Sequence, residues 1–377
     1  MLEFIFWFFS ILIVYIYFGY PLLLRVLTYP KMRRWRSSEE FTPTVTLVIA
    51  AHNEECVIKE KLDAVLAEPY PKGKLQIVVA SDASTDRTNE IVRGYSKKGV
   101  ELYDQIEHKG KSAALNYIVE KLARGEVVVF NDATTELEAG ALKKICSYFS
   151  DIKIGAVAAR LVFKKTRGSQ VSENHGLYWR YEESIRKLES DFGVMPFVSG
   201  AFYAIRRELY TNVPPDMPDD SVSPLGVYRQ RSRVVYALDA VAAEVASSEA
   251  SSEFRIKTRG IIRELTSIFH FKELLNPLDH PAVSLVLFSH RLLRWSVPIF
   301  LIIIMLVNLY LYGPLFYKFT FWVQFLFYLL ALWGLVSKSS GRVVGLASYF
   351  SLVNTAALVA IIRFLAGERR ATWKPER

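Results

Sequence analysis

Apolar runs that end abruptly in polar residues are the feature that most limits how this chain can fold. Val127–Thr135 reads VVVFNDATT, so β-branched and aromatic residues are followed directly by Asn131 and Asp132. Thr44–Ala51 and Leu75–Ala80 have the same character and lead into HNEE and SDASTD. Runs of this length and composition are typical of strands that are buried on both faces of a parallel sheet. The chain is therefore predicted to contain such a sheet.

The segments between these runs predict helices. Val57–Ala67 and Arg87–Tyr95 carry apolar residues at helical spacing, which gives a βαβαβ order and a sheet with helices on both faces. In open α/β sheets, ligands bind at the carboxyl ends of the strands. The polar residues there are candidate ligand-binding groups. For Asp132 a second interpretation stays open, since Asp is also a common helix cap and a helix begins near Ala139.

The polar motifs, taken in order, resemble those of glycosyltransferase family 2. They are HNEE, SDASTD, GKSAALN at Gly110–Asn116, and NDAT. The membrane-embedded polysaccharide synthases for cellulose, hyaluronan and poly-N-acetylglucosamine are similar from about Thr44 to the C-terminus. The resemblance implies an α/β protein with the GT-A fold, a mostly parallel Rossmann-like sheet, and transmembrane helices. It also implies an inverting enzyme that uses a nucleotide-diphospho-sugar.

Composition supports a soluble domain joined to membrane helices. The chain is 51% hydrophobic with a mean hydropathy of +0.18, which is too apolar for an ordinary soluble enzyme. The net charge of +9 lies largely beside apolar segments, where it sets topology, so we expect no nucleic-acid partner. Two cysteines, Cys56 and Cys146, make no disulfide framework and are expected to be reduced.

The N-terminus is predicted to be an uncleaved membrane anchor. Phe4–Leu24 is uncharged and long enough to span a bilayer, while Glu3 and the aromatic residues argue against a cleaved signal peptide. Basic residues follow it, at Arg25, Lys31, Arg33, Arg34 and Arg36. Residues 1–28 are thus the anchor and 29–43 a basic linker. The positive-inside rule then puts the next domain in the cytoplasm, at a bacterial or archaeal plasma membrane.

Residues 44–161 form the predicted nucleotide-sugar-binding half. By resemblance, His52 and Glu54 line the uridine pocket, Asp82 takes the base or ribose, and Lys111 faces the diphosphate. Two simpler roles stay open, because Lys111 would also suit a solvated helix face. His52 stands where the family often has Tyr, so this side chain would also suit packing alone.

The metal motif departs from the family pattern. Family members usually carry Asp-x-Asp, but the third position here is Thr134. By resemblance, a divalent cation, Mg²⁺ or Mn²⁺, would be held by Asp132, the diphosphate oxygens, water and Thr134. The loss of one acid is tolerable, since Mg²⁺ commonly binds through one or two carboxylates plus phosphates.

Residues 162–276 form the predicted acceptor-binding half. Tyr178–Ser190 is predicted to be a helix packed on the sheet, and Ser199 and Gly200 are small enough for the acceptor to approach. Asp219 and Asp220 follow a Pro-rich turn, which on sequence alone favours a helix cap. The resemblance instead makes Asp220 the general base that deprotonates the acceptor hydroxyl, supported by Asp219.

The end of this half departs from the synthases. Ala237–Phe254 is rich in small residues and is predicted to be partly mobile. The synthases then have Gln-x-x-Arg-Trp, whereas this chain has Ile256 and Gly260 at the Gln and Trp positions. Lys257 and Arg259 are the candidates for the phosphate contact. The missing Trp removes a stacking surface for the acceptor and weakens the expectation of processive polymerisation.

The C-terminal part returns to the membrane. Residues 277–294 are predicted to form an interfacial helix around the basic HRLLRW, and 295–366 the C-terminal membrane helices. Three uncharged stretches lie in that region, namely Trp295–Tyr317, Phe319–Val336 and Val343–Ile362. Three crossings would place the basic tail, 367–377, outside. We therefore expect one stretch not to span the membrane.

The sequence predicts an integral membrane, metal-dependent glycosyltransferase. Its partners would be a nucleotide-diphospho-sugar, which the resemblance makes uridine-linked, a polysaccharide or lipid-linked acceptor, and membrane lipids. One alternative is an enzyme that adds a single sugar to a glycolipid. Another is a catalytically silent membrane scaffold, which Thr134 and Gly260 favour and the retained Asp82, Lys111, Asp132 and Asp219–Asp220 oppose. The sugar, the linkage and any protein partner stay open.

Overall fold

The computed structural model describes residues 1–29, 35, 37–164, 170–245, 250–337 and 341–369. In these residues eight strands form one mixed sheet in the order β3-β2-β1-β4-β7-β6-β8-β5. The strands are β1 Val45–Ala51, β2 Leu75–Asp82, β3 Val100–Gln105, β4 Val127–Asp132, β5 Glu136–Leu137, β6 Ile154–Lys164, β7 Phe202–Arg206 and β8 Arg233–Val245.

The first four strands of the order are parallel, as predicted. β1 pairs with β2 and with β4, and β2 pairs with β3. The register sets Ala51 beside Ser81 and Ala50 beside Asp132. The polar residues that follow each strand therefore meet at one edge of the sheet, where α/β proteins bind ligands.

The second half of the sheet is mixed and not mostly parallel. β7 runs antiparallel to β4 and β6, and β5 runs antiparallel to β8, while β6 and β8 are parallel. The prediction that Ala237–Phe254 is partly mobile is wrong for the residues up to Val245, because these residues belong to β8 and pair with β6. Its small side chains, such as Ala240 and Ala242, are buried. Residues 246–249 lie outside the described residues.

The helices surround this sheet and continue into an apolar bundle. Around the sheet lie α3 Ile58–Leu66, α4 Thr88–Arg93, α5 Lys111–Tyr117, α6 Ala141–Ser147, α7 Gln170–Phe192, α8 Asp219–Arg229 and α9 Ala250–His270. The apolar helices are α1 Leu2–Val14, α2 Tyr20–Thr28, α10 Pro281–Val286, α11 Leu293–Tyr310, α12 Leu315–Ser337 and α13 Arg342–Leu365. A π-helical turn joins α1 to α2, and another joins α10 to α11, so that each pair forms one continuous helix.

Four helical stretches among the described residues are long and apolar enough to cross a membrane. They are Leu2–Thr28, Pro281–Tyr310, Leu315–Ser337 and Val343–Leu365. The separate interfacial helix expected at 277–294 is instead the start of the continuous stretch Pro281–Tyr310. The basic tail lies mostly outside the described residues, so the expectation that one stretch does not span stays a prediction.

The sheet and the apolar bundle share one hydrophobic core. Alternate strand residues point to opposite faces of the sheet, and Val48, Val78 and Val128 lie on the face that α5 and α8 cover. The same contiguous core includes Leu287 and Trp295 of the apolar bundle. The site-bearing domain is therefore packed directly against the helices suited to a membrane.

A buried ionic network reinforces this junction. His290 contacts the Glu189 carboxylate of α7 at 2.6 Å through Nδ1, and Tyr20 of α2 donates to the same carboxylate at 2.7 Å. Arg294 of α11 lies 2.7 Å from the Glu182 carboxylate. These contacts explain why the basic HRLLRW segment turns inward, since buried carboxylates on α7 pair with its charges.

Candidate active site

A cavity of about 210 Å³ opens at the carboxyl edge of the sheet. Six of the residues predicted for the site line it, namely Lys111, Asp132, Ser199, Gly200, Asp219 and Asp220. Three further charged residues, Lys109, Glu244 and Arg263, line it without having been predicted. The fold thus brings the donor-side and acceptor-side candidates into one space, although they are far apart in sequence.

Lys111 is the central cation of this cavity. It is the first residue of α5, and its ammonium lies 2.8 Å from Asp132 Oδ1 and 3.6 Å from Asp219 Oδ1. Burial acts to lower the pKa of Lys111, but the two carboxylates outweigh it and raise that pKa above its ordinary value. The side chain is 12% exposed, so it does not lie on a solvated helix face.

Asp219 and Asp220 are the first two residues of α8, and neither is its cap. The N-cap position is Pro218, and no side chain forms a capping hydrogen bond there. Asp219 accepts a hydrogen bond from the Tyr203 hydroxyl at 3.0 Å. Asp220 accepts one from the Gly200 amide at 3.2 Å. Both carboxylates are thus held by the loop and strand that face α8.

Gly200 is a position where a side chain would crowd the site. A Cβ added there would lie 3.3 Å from Asp220 Oδ2. The absence of a side chain lets the backbone amide approach the carboxylate, which is the kind of close approach that favours glycine. Gly200 therefore orients Asp220 through its amide and leaves the cavity open.

Asp220 has the properties of a base that works near neutral pH. Burial raises the pKa of Asp220 to about 7, and the charges of Asp219 and Glu264 add to this effect, while Lys111 and Arg263 oppose it. A general base is most effective when its pKa lies near the working pH. The carboxylate that the resemblance assigns to proton abstraction therefore has a suitable pKa.

The residues that were expected to bind the base and ribose of the nucleotide do not line the cavity. Asp82 Oδ1 accepts hydrogen bonds from Gln105 Nε2 at 2.5 Å and from the Gly110 amide at 3.3 Å. His52 Nδ1 contacts the carbonyl of the same aspartate at 2.6 Å. The structure adds His108, whose Nδ1 lies 2.9 Å from Asp82 Oδ2. Nothing in the sequence pattern singled out His108, because its position depends on the loop that follows β3.

Glu54 is buried at the same end of the sheet. Its backbone amide donates a hydrogen bond at 2.8 Å to the hydroxyl of Thr88, the first residue of α4. The HNEE motif therefore joins the end of β1 to the start of the helix after β2. Like His52 and Asp82, Glu54 does not line the cavity.

Thr134 does not line the cavity that Asp132 lines. Its side chain is exposed and lines a second cavity, of about 390 Å³, together with Lys61 and Glu68. The next residue, Thr135, joins the two cavities, since its carbonyl accepts a hydrogen bond from Lys61 and its hydroxyl donates to Glu244 Oε1 at 2.8 Å. Burial lowers the pKa of Lys61 to about 8 and raises the pKa of Glu244.

Lys257 and Arg259 lie on α9 but do not line the cavity. Lys257 Nζ is 3.6 Å from Glu253 Oε1, one turn earlier in the helix. Arg263, one turn after Arg259, is the basic residue that α9 presents to the cavity, where it donates to the Met217 carbonyl at 2.8 Å. Arg263 could have been predicted from the sequence, because it lies four residues after Arg259 and therefore on the same face of the helix.

Comparison with known proteins identifies the domain that carries this cavity. Residues 46–213 match the family model described as glycosyl transferase family 2. The chain carries a family 2 glycosyltransferase domain. A probable glycosyltransferase of Bacillus subtilis, YdaM, is 36% identical over 137 residues, which are 34% of this chain and 31% of that protein. A beta-monoglucosyldiacylglycerol synthase of a Nostoc species is 32% identical over 126 residues, or 31% of this chain and 26% of that protein. The similarity thus spans less than a third of either relative.

A solved structure supports the fold over nearly the whole chain. It is the mannosyltransferase PcManGT of Pyrobaculum calidifontis, described in complex with GDP-mannose and Mn²⁺. The TM-score is 0.73 at 22% identity, covering 98% of this chain and 100% of that chain. The GT-A fold that the sequence resemblance implied is therefore confirmed.

The residues at the cavity fit a divalent cation of the kind that GT-A enzymes generally use. Asp132 and Glu244 offer carboxylate oxygens, which are the ligands that Mg²⁺ and Mn²⁺ prefer. The Lys111 ammonium already lies among the oxygens of Asp132, Asp219 and Gly200, so this part of the cavity stabilises positive charge. No group of three His, Cys, Asp or Glu suited to a metal is found in the described part of the chain. A cation there would need further oxygens, which a diphosphate supplies.

Proposed function

We propose that this chain is an integral membrane, inverting glycosyltransferase that uses a nucleotide-diphospho-sugar at the cytoplasmic face. Its acceptor would be a lipid-linked sugar or a growing polysaccharide. The observation that carries the proposal is one cavity in which Asp220, with a pKa near neutrality, faces Lys111 and Asp132. A proton acceptor and a cationic group for a diphosphate are the two parts that this reaction requires of the protein.

Each side chain has a defined task in this proposal. Asp220, oriented by the Gly200 amide, takes the proton of the acceptor hydroxyl as that oxygen attacks the anomeric carbon. Attack from the side opposite the leaving nucleoside diphosphate inverts the configuration, and no covalent intermediate is needed. Lys111 exchanges its carboxylate partners for the diphosphate, while Ser199 and Gly200 border the acceptor.

The donor is held at both of its ends. His52, Glu54 and Asp82 would contact the base and ribose, and Arg263 joins Lys257 and Arg259 as a phosphate-binding candidate on α9. A divalent cation held at Asp132, with Thr134 as the sequence-based second candidate ligand, would neutralise charge on the leaving diphosphate. Uridine is the base that the resemblance favours, and the solved relative with GDP-mannose adds guanosine as the second candidate.

Single addition to a glycolipid is the second candidate function. The Trp that serves as an acceptor platform in the synthases is replaced by Gly260, around which a side chain would meet open space. The core of the sheet also continues into the apolar bundle, which suits an acceptor delivered from the membrane. The name of the Nostoc relative describes a glycolipid product, which is consistent with this candidate.

Nucleotide release tests the proposal directly. The full chain, purified in detergent with Mn²⁺ and lipid acceptors, is given a panel of UDP- and GDP-sugars, and release of UDP or GDP is measured. We expect release from at least one donor, and we expect Asp132→Ala to abolish it. No release from any donor would favour the silent scaffold. The length of a radiolabelled product then separates a synthase, which yields a ladder, from single addition.

A further inference from the structure

The metal motif lacks its second acid, while a carboxylate from far along the chain lines the same cavity as Asp132. Thr134 occupies the position of that acid, but its side chain is exposed and lines the second cavity and not the one that Asp132 lines. Glu244 of β8 lines the same cavity as Asp132 and is the fourth carboxylate of its lining, besides Asp219 and Asp220 of α8. We propose that Glu244 is the second carboxylate ligand of the divalent cation held at Asp132, an inference that rests on the proposed function.

Sheet pairing places Glu244 at this point. β5 begins four residues after Asp132 and pairs antiparallel with β8, so that Glu136 lies opposite Ala243. Glu244, the next residue, is thereby brought beside Thr135, whose hydroxyl donates to Glu244 Oε1 at 2.8 Å. A backbone pairing and a side-chain hydrogen bond therefore both hold Glu244 against the loop that carries Asp132.

The surroundings of Glu244 suit a ligand. A carboxylate has two oxygens, so Glu244 keeps its bond to Thr135 and still offers Oε2 to a cation. The side chain is half-buried, and the positive groups near it include Lys111 and Lys61. When Lys111 turns to the diphosphate, Asp132 and Glu244 lose part of this compensation. A divalent cation restores it, because it brings positive charge to both carboxylates.

A purely structural role for Glu244 makes a different prediction. In that case the carboxylate serves only to accept the Thr135 hydroxyl and so to hold the loop. Glu244→Gln keeps an oxygen that can accept this bond but removes the charge, whereas Thr135→Val removes the bond and keeps the charge. A structural role makes Thr135→Val the more harmful change, while a ligand role makes Glu244→Gln the more harmful one for cation binding.

The experiment measures Mn²⁺ binding and needs no sugar transfer. Free Mn²⁺ is titrated by electron paramagnetic resonance in the presence of the full chain in detergent, with and without UDP or GDP. We expect Glu244→Gln to weaken Mn²⁺ binding at least about tenfold. Even the loss of a residue that only hydrogen-bonds to a metal ligand typically lowers metal affinity by about 10–100-fold. The matched control is Glu136→Gln, an exposed acid of the paired strand β5, which is expected to change the affinity less than about twofold.

Position 134 supplies a second control. Its side chain lines the second cavity, so a Glu244 ligand predicts unchanged Mn²⁺ affinity in Thr134→Asp, whereas tighter binding would favour the sequence-based assignment of position 134 and count against Glu244. Should Glu244→Gln fail to fold, judged by its melting temperature, Glu244→Asp replaces it. That variant keeps the charge but draws it back by one methylene, and a loss of about tenfold is expected.

Several results would overturn the inference. These are a Glu244→Gln protein that binds Mn²⁺ like wild type, equal losses in Glu244→Gln and Glu136→Gln, or a wild-type chain that binds no Mn²⁺ in any condition. Failure of the proposed function looks different, because no sugar nucleotide would be consumed while Mn²⁺ binding still depended on Glu244. Conversely, sugar transfer with Glu244-independent Mn²⁺ binding rejects this inference alone.

Discussion

At the scale of single residues, the proposed chemistry depends on a carboxylate whose pKa the fold holds near neutral pH. Burial is the largest cause of the raised pKa of Asp220, and the charges of Asp219 and Glu264 add to it. The side chain accepts a hydrogen bond from the Gly200 amide. Lys111 limits the shift, since its ammonium acts on the same pair of acids. The two adjacent acids line the same cavity but have different partners, since Asp219 accepts a hydrogen bond from the Tyr203 hydroxyl and Asp220 accepts one from the Gly200 amide.

Asp220→Asn tests this assignment. The amide keeps the shape of the side chain but cannot take the acceptor proton, so turnover should fall by about 10²–10⁴-fold. Donor affinity should stay nearly unchanged, because the base acts on the acceptor. Asp219→Asn should cost less, since it only supports Asp220. Turnover and donor binding are measured for both, and a fully active Asp220→Asn enzyme would reject the mechanism.

The pH dependence of stability tests the same residue without any substrate. The folded-state pKa of Asp220, about 7, lies above the ordinary value of about 3.9, so the folded protein holds this proton more tightly than the unfolded chain. The free energy of unfolding therefore decreases as the pH rises from about 4 to about 7. Compared with wild type, Asp220→Asn should gain melting temperature at pH 8 and show a smaller gain at pH 5. An equal difference at both values would contradict the raised pKa.

At the scale of elements, helix α9 differs from the synthase pattern in a way that the fold tolerates. Gly260 lies inside this helix, and a Cβ there would meet no atom within 4 Å. The position is therefore open to a methyl group. What α9 presents to the cavity instead is Arg263, one turn beyond Arg259.

Gly260→Ala should therefore stabilise the chain. Glycine inside a helix costs about 0.5–1 kcal/mol relative to alanine, and nothing opposes the added methyl group at this position. The matched control is Gly226→Ala in α8, where a Cβ would lie 2.4 Å from Thr211 Oγ1 and should destabilise the protein. Thermal unfolding in detergent measures both, and equal shifts would show that local space does not decide the outcome.

At the scale of the whole molecule, the catalytic domain and the apolar bundle form one packed body. The hydrophobic core passes from the sheet to Leu287 and Trp295, and the Glu189–His290 contact links α7 to the bundle. An orientation of the bundle in a membrane therefore also orients the cavity. The basic residues after the first helix predict that the cavity faces the cytoplasm.

Limited proteolysis of cells tests that orientation. The turn at Pro71–Gly73 is exposed, and Lys72 and Lys74 beside it are sites for trypsin. Trypsin should cleave there in inside-out vesicles and leave the protein intact in whole cells. Detergent-solubilised protein is the control for accessibility. Cleavage in intact cells would reverse the orientation and remove access to cytoplasmic sugar nucleotides.

The sequence alone was sufficient to determine the parallel strands, their polar ends and the apolar helices. These features depend on local periodicity and length, which are visible in a single chain. The pairing of parallel strands sets Asp132 at one edge of the sheet, as the order of the strands along the chain predicted. Lys111 and the Asp219–Asp220 pair, which only the resemblance indicated, line the cavity at that edge.

Only the tertiary structure decided which distant residues complete the cavity. Glu244 and Arg263 line it, Thr134 lines a different cavity, and His108 lies against Asp82. Each of these facts depends on a strand register or a loop path between residues that periodicity does not connect. The inward turn of the HRLLRW segment has the same origin, because its charges are paired by carboxylates about a hundred residues earlier in the chain.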